Sequence, residues 1–206
     1  MNNNIEYWSK RYRNLGGKKT VGNKKWTNEE YINEQTRFES FIYPYISKLK
    51  GDSVLDFGCG IGRRNQFLKQ SYSKYYGVDI VKSAINSARR SYHGDNFELI
   101  TNNNIPFKNI KFDLIWTNVA LQHIVDEELL IHYINQFKDL LSEEGHVLIV
   151  ENTSEAKNNN YISFRKPIEY INLFYNCGFE PLRDSIYYYD EGSKEPHLVL
   201  TFKKIN

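Results

Sequence analysis

With Lys+Arg 27 against Asp+Glu 25 in 206 residues, the chain is long enough for one domain with a substantial core and too evenly charged, at +2, to present a nucleic-acid surface. No apolar run approaches bilayer length and the polar start Met1-Asn2-Asn3-Asn4 is no signal peptide, so the expectation is a cytoplasmic protein with no membrane partner. Two cysteines, Cys59 and Cys177, make no disulfide framework, and five scattered histidines give no metal-ligand spacing, so no metal is expected.

In chain order, residues 1–26 are polar but carry Tyr7, Trp8, Tyr12 and Trp26 around Gly16-Gly17, and read as a loop-rich arm whose aromatics pack on the body. Thr27-Asn28-Glu29-Glu30 matches a capping box. Phe38, Phe41, Ile42, Tyr45, Ile46 and Leu49 continue at helical spacing, with Pro44 expected to kink or divide the helix. Gly51-Asp52 ends it. Val54-Leu55-Asp56-Phe57 then reads as a buried strand turning sharply at Gly58-x-Gly60-x-Gly62, where backbone amides are left free for a close approach.

A helix over Arg63 to Gln70 follows, then a strand from Tyr75 to Ile80 with Asp79 at its carboxyl end, where open α/β sheets collect ligands. A helix over Lys82 to Ser91, a strand over Phe97 to Ile100, the loop 102–107 and a strand over Phe112 to Thr117 come next. A helix over Glu127 to Leu141 and a strand over His146 to Val150 complete the alternation, which calls for a parallel sheet covered on both faces. After a helix over Phe164 to Tyr175, the extended runs Leu182 to Tyr189 and His197 to Phe202, joined by 190–196, imply an antiparallel pair.

The D-x-G-x-G-x-G run from Asp56 to Gly62, joined to Asp79, resembles motif I of the class I S-adenosylmethionine-dependent methyltransferases. The resemblance covers roughly residues 50–206. It implies an α/β, Rossmann-like fold with a seven-stranded, mostly parallel sheet ending in an antiparallel hairpin and helices on both faces. The domain reading is a single unit over 1–206, with 1–50 as an aromatic arm and helix able to cover the site and 51–206 as the core. The implied cofactor is S-adenosyl-L-methionine. By the same resemblance Gly58 and Gly60 pass beneath its methionine part, Asp79 binds the ribose hydroxyls and Asp56 anchors the amino group. Arg63 would pair with the carboxylate, Asn102 or Asn103 would meet the adenine, and Asn118 would face the transfer site.

Methyl transfer needs orientation more than chemical groups, and a base only where the nucleophile keeps a proton. His123 is the residue here suited to remove one near neutrality, and it equally fits a structural or substrate-orienting role. Glu151 is expected to steer the acceptor, with Asn152 beside it and Trp8 and Tyr12 as cover. Asn118 lacks the prolines and aromatic found in enzymes that methylate nucleobase amines or glutamine side chains, and Cys59 is misplaced for attack on a pyrimidine carbon. The acceptor expected is therefore an oxygen or nitrogen of a small or sugar-like molecule. A weaker resemblance, through Gly60-Ile61-Gly62-Arg63, the 112–116 strand with His123, Glu151-Asn152 and Arg165, points to protein α-N-terminal methyltransferases, although 157–161 lacks that family's aspartate. A cofactor-binding module without turnover is the non-enzyme alternative. The glycine spacing argues against a dehydrogenase, and the oligomeric state is left open.

Overall fold

The computed structural model describes residues 2–15, 27–153, 158–183, 187–189 and 197–205. Alternating strands and helices build one sheet in the order β3-β2-β1-β4-β5-β8-β6, with β7 also on β8. The parallel strands are β1 (Ser53–Phe57), β2 (Lys74–Asp79), β3 (Asn96–Leu99), β4 (Phe112–Asn118) and β5 (Leu141–Asn152). β8 (His197–Lys204) runs antiparallel to β5. Its other edge carries both β6 (Phe179–Pro181), against 202–204, and β7 (Tyr187–Tyr189), against 197–199. Among the described residues eight segments thus fill seven lateral positions, the class I methyltransferase arrangement.

The period of two along each strand divides the core between the faces. Leu55, Phe57, Ile115, Val147 and Ile149 point to one side, where they meet α5 (Glu127–Leu140) and α6 (Pro167–Asn176). Val54, Leu114, Trp116, Leu148 and Val150 point to the other, against α2 (Asn28–Ile46), the single turn α3 (Asn65–Leu68) and α4 (Lys82–Ser91). All five residues of β1 are buried, as a central strand covered on both faces requires.

Several expectations need correction. Part of the N-terminal arm is a helix, α1 (Asn2–Leu15), and its Asn4, Tyr7, Trp8, Arg11 and Tyr12 share one face through spacings of three and four. Trp26, Gly16-Gly17 and the 190–196 link lie outside the described residues. Pro44 does not divide α2. It sits in the last turn, and the amide of Ser47 still closes on Tyr43 O at 2.9 Å. The helix expected over 63–70 shrinks to one turn, because Gly62 adopts φ +79° against the Tyr92 and Phe97 rings and Asn65 bonds back to Gly62 O in a three-residue turn. Among the described residues no helix is long and apolar enough to cross a membrane.

Candidate active site

The strand order reverses between β1 and β4, so the loops that leave their carboxyl ends diverge and open a crevice. A cavity of about 1120 Å³ occupies it, floored by the glycine loop and the ends of β2, β4 and β5, flanked by α2 and roofed by α1. That is somewhat larger than the roughly 300–1,000 Å³ usual for one ligand.

The floor begins at Gly58, whose φ of +77° favours glycine and whose added Cβ would lie 2.6 Å from Ala120 Cβ. The amides of Gly58 and Cys59 donate to Val78 O at 2.8 and 3.0 Å, tying the loop to β2. Asp79 completes that tie. Its Oδ2 accepts from the Gly60 amide at 2.9 Å and its Oδ1 from the Val81 amide at 2.8 Å. Burial pushes the Asp79 pKa up to about 6, against the pull of those amides. Asp79 lines the cavity, and a carboxylate there is the acceptor chemistry a ribose diol meets. Gly60 itself is buried off the cavity wall, so it shapes the loop and orients Asp79.

Asp56 is 3% exposed and also lines the cavity, and its Oδ2 accepts from Tyr75 Oη at 2.6 Å. Burial raises its pKa to about 7, with the Tyr75 bond opposing. Arg63 is half-buried on the wall with its guanidinium 5.9 Å from the Tyr31 ring centroid. The asparagine pair after β3 divides. Asn102 is exposed and off the wall, its carbonyl accepting from Asn104 Nδ2 at 2.8 Å, whereas Asn103 lines the cavity. Asn103 at φ +60° is held by His132 Nε2 at 3.1 Å and Gln136 Nε2 at 2.8 Å on its carbonyl.

At the other end, β4 delivers Asn118 to the wall. Val119 follows at φ +55°, an unusual conformation for a β-branched residue, with its amide donating to Val150 O at 2.7 Å. A 3-10 turn, Leu121–His123, comes next. Glu151 lies beneath it, 0% exposed and off the cavity wall. Its Oε1 accepts from Thr117 Oγ1, Ala120 N and Leu121 N at 3.2, 3.1 and 2.9 Å, and its Oε2 from Gln122 N at 3.1 Å. Glu151 therefore positions the turn and does not reach an acceptor, which corrects the expectation for this residue.

His123 lines the cavity on that turn. Its Nδ1 lies 3.0 Å from Tyr161 O, an acceptor only, so Nδ1 carries the proton and Nε2 the lone pair. The Asn152 amide donates to Gln122 Oε1 at 3.2 Å, which turns the Gln122 amino group toward His123 Nε2 at 3.4 Å. Burial lowers the His123 pKa and the Arg11 charge adds to that, while the Tyr161 carbonyl opposes. α1 closes the top. Trp8 meets the His123 ring edge-on at 4.7 Å, Tyr7 stacks on Tyr161 at 4.4 Å and Asn4 donates to the His123 carbonyl. Tyr12 lines the cavity near Asp79 and Cys59, where burial drives its pKa well up.

The structure thus gathers Asp56, Gly58, Arg63, Asp79, Asn118, His123, Asn152, Trp8 and Tyr12 around one cavity, and leaves Gly60, Asn102 and Glu151 off its wall. Tyr75, Gln122 and Tyr161 were not foreseen, because their contributions depend on a neighbouring strand or a distant loop. Among the described residues no group of three or more His, Cys, Asp or Glu is placed to hold a metal.

A family model described as a methyltransferase domain matches residues 28–183. Phosphoethanolamine N-methyltransferase 3 of Arabidopsis thaliana is 27% identical over 146 residues, covering 66% of this chain and 30% of its own length. This chain therefore spans under a third of that relative. Alpha N-terminal protein methyltransferase 1 of Schizosaccharomyces pombe is 26% identical over 144 residues, 68% of this chain and 63% of that protein. Among solved structures, an S-adenosylmethionine-dependent methyltransferase of Leishmania major superposes with a TM-score of 0.77 at 18% identity, covering 97% of this chain and 82% of its own. A buried acid pair, a glycine floor that a Cβ would fill and a β1/β4 crevice suit S-adenosylmethionine, the cofactor of class I methyltransferases, and by its matched sequence the chain belongs to the methyltransferase-domain family.

Proposed function

We propose that the protein transfers the methyl group of S-adenosylmethionine to an oxygen or nitrogen of a small, sugar-like acceptor held between α1 and the turn after β4. The observation that carries this reading is the continuity of one cavity, from Gly58 and Asp79 at one end to His123 and Asn152 at the other, beneath α1. A roof of that kind leaves room for a small molecule, whereas a protein segment would have to displace it. Within one domain α1 serves as cover, and α2 joins the sheet in the core.

When bound, the cofactor supplies a methyl group already activated on a sulfonium. The chain's own residues then bind, orient and exclude water. Asp79 takes the ribose hydroxyls and Asp56 the amino group, Gly58 gives the backbone its close approach, and of the two candidate asparagines Asn103 is the one that meets the adenine. Asn118 and Asn152 face the acceptor. His123, with Nδ1–H spent on Tyr161 O, keeps its one lone pair on Nε2, and the acceptor's hydroxyl or amine takes the place of the Gln122 amino group there as it gives up its proton. Trp8 and Tyr12 close the space above and keep water from the reacting atoms.

A second reading, methylation of a protein amino terminus, draws on the S. pombe relative. Both are tested together. Calorimetric titration with S-adenosylhomocysteine is expected to show micromolar binding, weakened at least tenfold by Asp79→Ala, a loss of about 1.4 kcal/mol. An acceptor screen that follows S-adenosylhomocysteine release is then expected to find turnover with sugars and small metabolites and none with peptides bearing a free amino terminus. Turnover on peptides alone would install the second reading, and no nucleoside binding by folded protein would end both.

A further inference from the structure

The two arginines after the glycine loop are adjacent in sequence and differ in setting. Arg63 is half-buried and leans toward the Tyr31 ring. Arg64 is only 7% exposed, yet it lines the cavity. Its Nη1 donates to Glu39 Oε1 at 2.8 Å, and its guanidinium carbon lies 4.3 Å from the centroid of the Phe38 ring. Phe38 and Glu39 are neighbours on α2, so one helix holds the guanidinium through both contacts.

With Nη1 engaged, the remaining side of the fork is the Nε–Nη2 edge. Nε is buried and has no hydrogen-bond partner among the described residues. A buried, charged N–H without an acceptor is costly, and this is the edge on which a guanidinium grips a carboxylate through two parallel hydrogen bonds. The local charge points the same way. Burial first, and then the Arg63 charge beside it, lower the Arg64 pKa to about 9, with Glu39 opposing. Both arginines line one cavity beside Asp56, and a further anion between them would relieve the repulsion that Glu39 and Asp56 offset only in part.

We propose that Arg64, rather than the arginine that directly follows the glycine run, is the carboxylate-binding residue of this cavity, with Glu39 and Phe38 of α2 as its positioning residues. The carboxylate is the amino-acid end of the cofactor, an assignment that rests on the cofactor reading above. This makes α2, which precedes the sheet, part of the selection for a nucleoside that carries an amino acid.

The test compares two probes by calorimetry, S-adenosylhomocysteine and 5′-deoxy-5′-methylthioadenosine, which keeps the nucleoside and sulfur but lacks the amino acid. Arg64→Gln is expected to weaken the first by about 10- to 100-fold, the worth of a charge-assisted pair of hydrogen bonds, and to leave the second within about threefold. Glu39→Gln should shift the same ratio in the same direction by less, and Arg63→Gln should shift it less than Arg64→Gln does. Equal loss of both probes in Arg64→Gln would overturn the proposal by making Arg64 a residue of the fold. Unchanged S-adenosylhomocysteine binding would also overturn it, leaving a carboxylate on the acceptor as the group the arginine meets. If Arg64→Gln does not fold, the probe ratio in Glu39→Gln decides, an unchanged ratio counting against the proposal. Failure of the unaltered protein to bind either probe is a different result, because it removes the cofactor reading itself.

Discussion

A side chain at position 58 would face two demands together, a φ of +77° and a Cβ 2.6 Å from Ala120 Cβ. The left-handed backbone alone costs a non-glycine residue roughly 1–2 kcal/mol, and the overlap would push the floor of the cavity away from the turn that carries His123. Gly58→Ala is expected to lower the melting temperature and weaken S-adenosylhomocysteine binding more than tenfold in calorimetry, about 1.4 kcal/mol. His123 yields a pH prediction. Burial holds its pKa below the usual histidine value, so the neutral, proton-accepting form persists into mildly acidic solution. Turnover should fall as pH drops through that lowered pKa and stay level above it. His123→Asn should reduce kcat by roughly 100-fold or more and abolish the acid limb. An acid limb that survives the substitution would leave His123 a structural role only.

At the scale of elements, the turn after β4 depends on a carboxylate that no acceptor touches. Glu151→Gln keeps the shape but turns an amino group toward backbone donors, at a cost of about 1–3 kcal/mol. We expect lower stability to urea and a lower kcat, with S-adenosylhomocysteine affinity within about threefold. A change confined to affinity would contradict this assignment. The reading of Glu151 from sequence went astray for a physical reason: an acid at a strand end serves equally to face a ligand or to collect the amides of an adjacent turn, and only the position of 120–122 over β5 separates the two. Asn102 and Asn103 pose the same problem, since consecutive left-handed residues point apart and the sequence carries no register for them. The helix α1 was legible and missed. Its residues 4, 7, 8, 11 and 12 recur at helical spacing, a signal concealed because Asn4 and Arg11 on that face are themselves polar. By contrast, the central strands, the glycine loop and Asp79 were readable because buried parallel strands leave continuous apolar runs and a sharp turn leaves glycines.

For the molecule as a whole, burial raises three acids together, Asp56 and Glu151 to about 7 and Asp79 to about 6. Carboxylates in the unfolded chain titrate near about 4, so the folded state binds more protons between there and neutrality. Their contribution to stability is fully present below the unfolded range and is lost as pH rises through the folded values. Asp56→Asn should therefore remove part of that slope. Denaturation by urea at about pH 5 and about pH 8 is expected to show the unaltered protein losing more stability between the two than the variant does. Equal losses would place the Asp56 pKa near its ordinary value.

The placement of β8 between β5 and β6 sets an order on the making of the protein. A ribosome delivers β5 and β6 before β8, so the growing chain holds a parallel sheet whose last strand, with Val147, Leu148, Ile149 and Val150, has an open edge. β6 has nothing to pair with until its neighbour arrives. An unpaired apolar edge is a template for association with other chains. The nascent protein is thus most exposed to aggregation between the emergence of β5 from the ribosome and the emergence of β8, and a chaperone that shields strand edges would act in that interval.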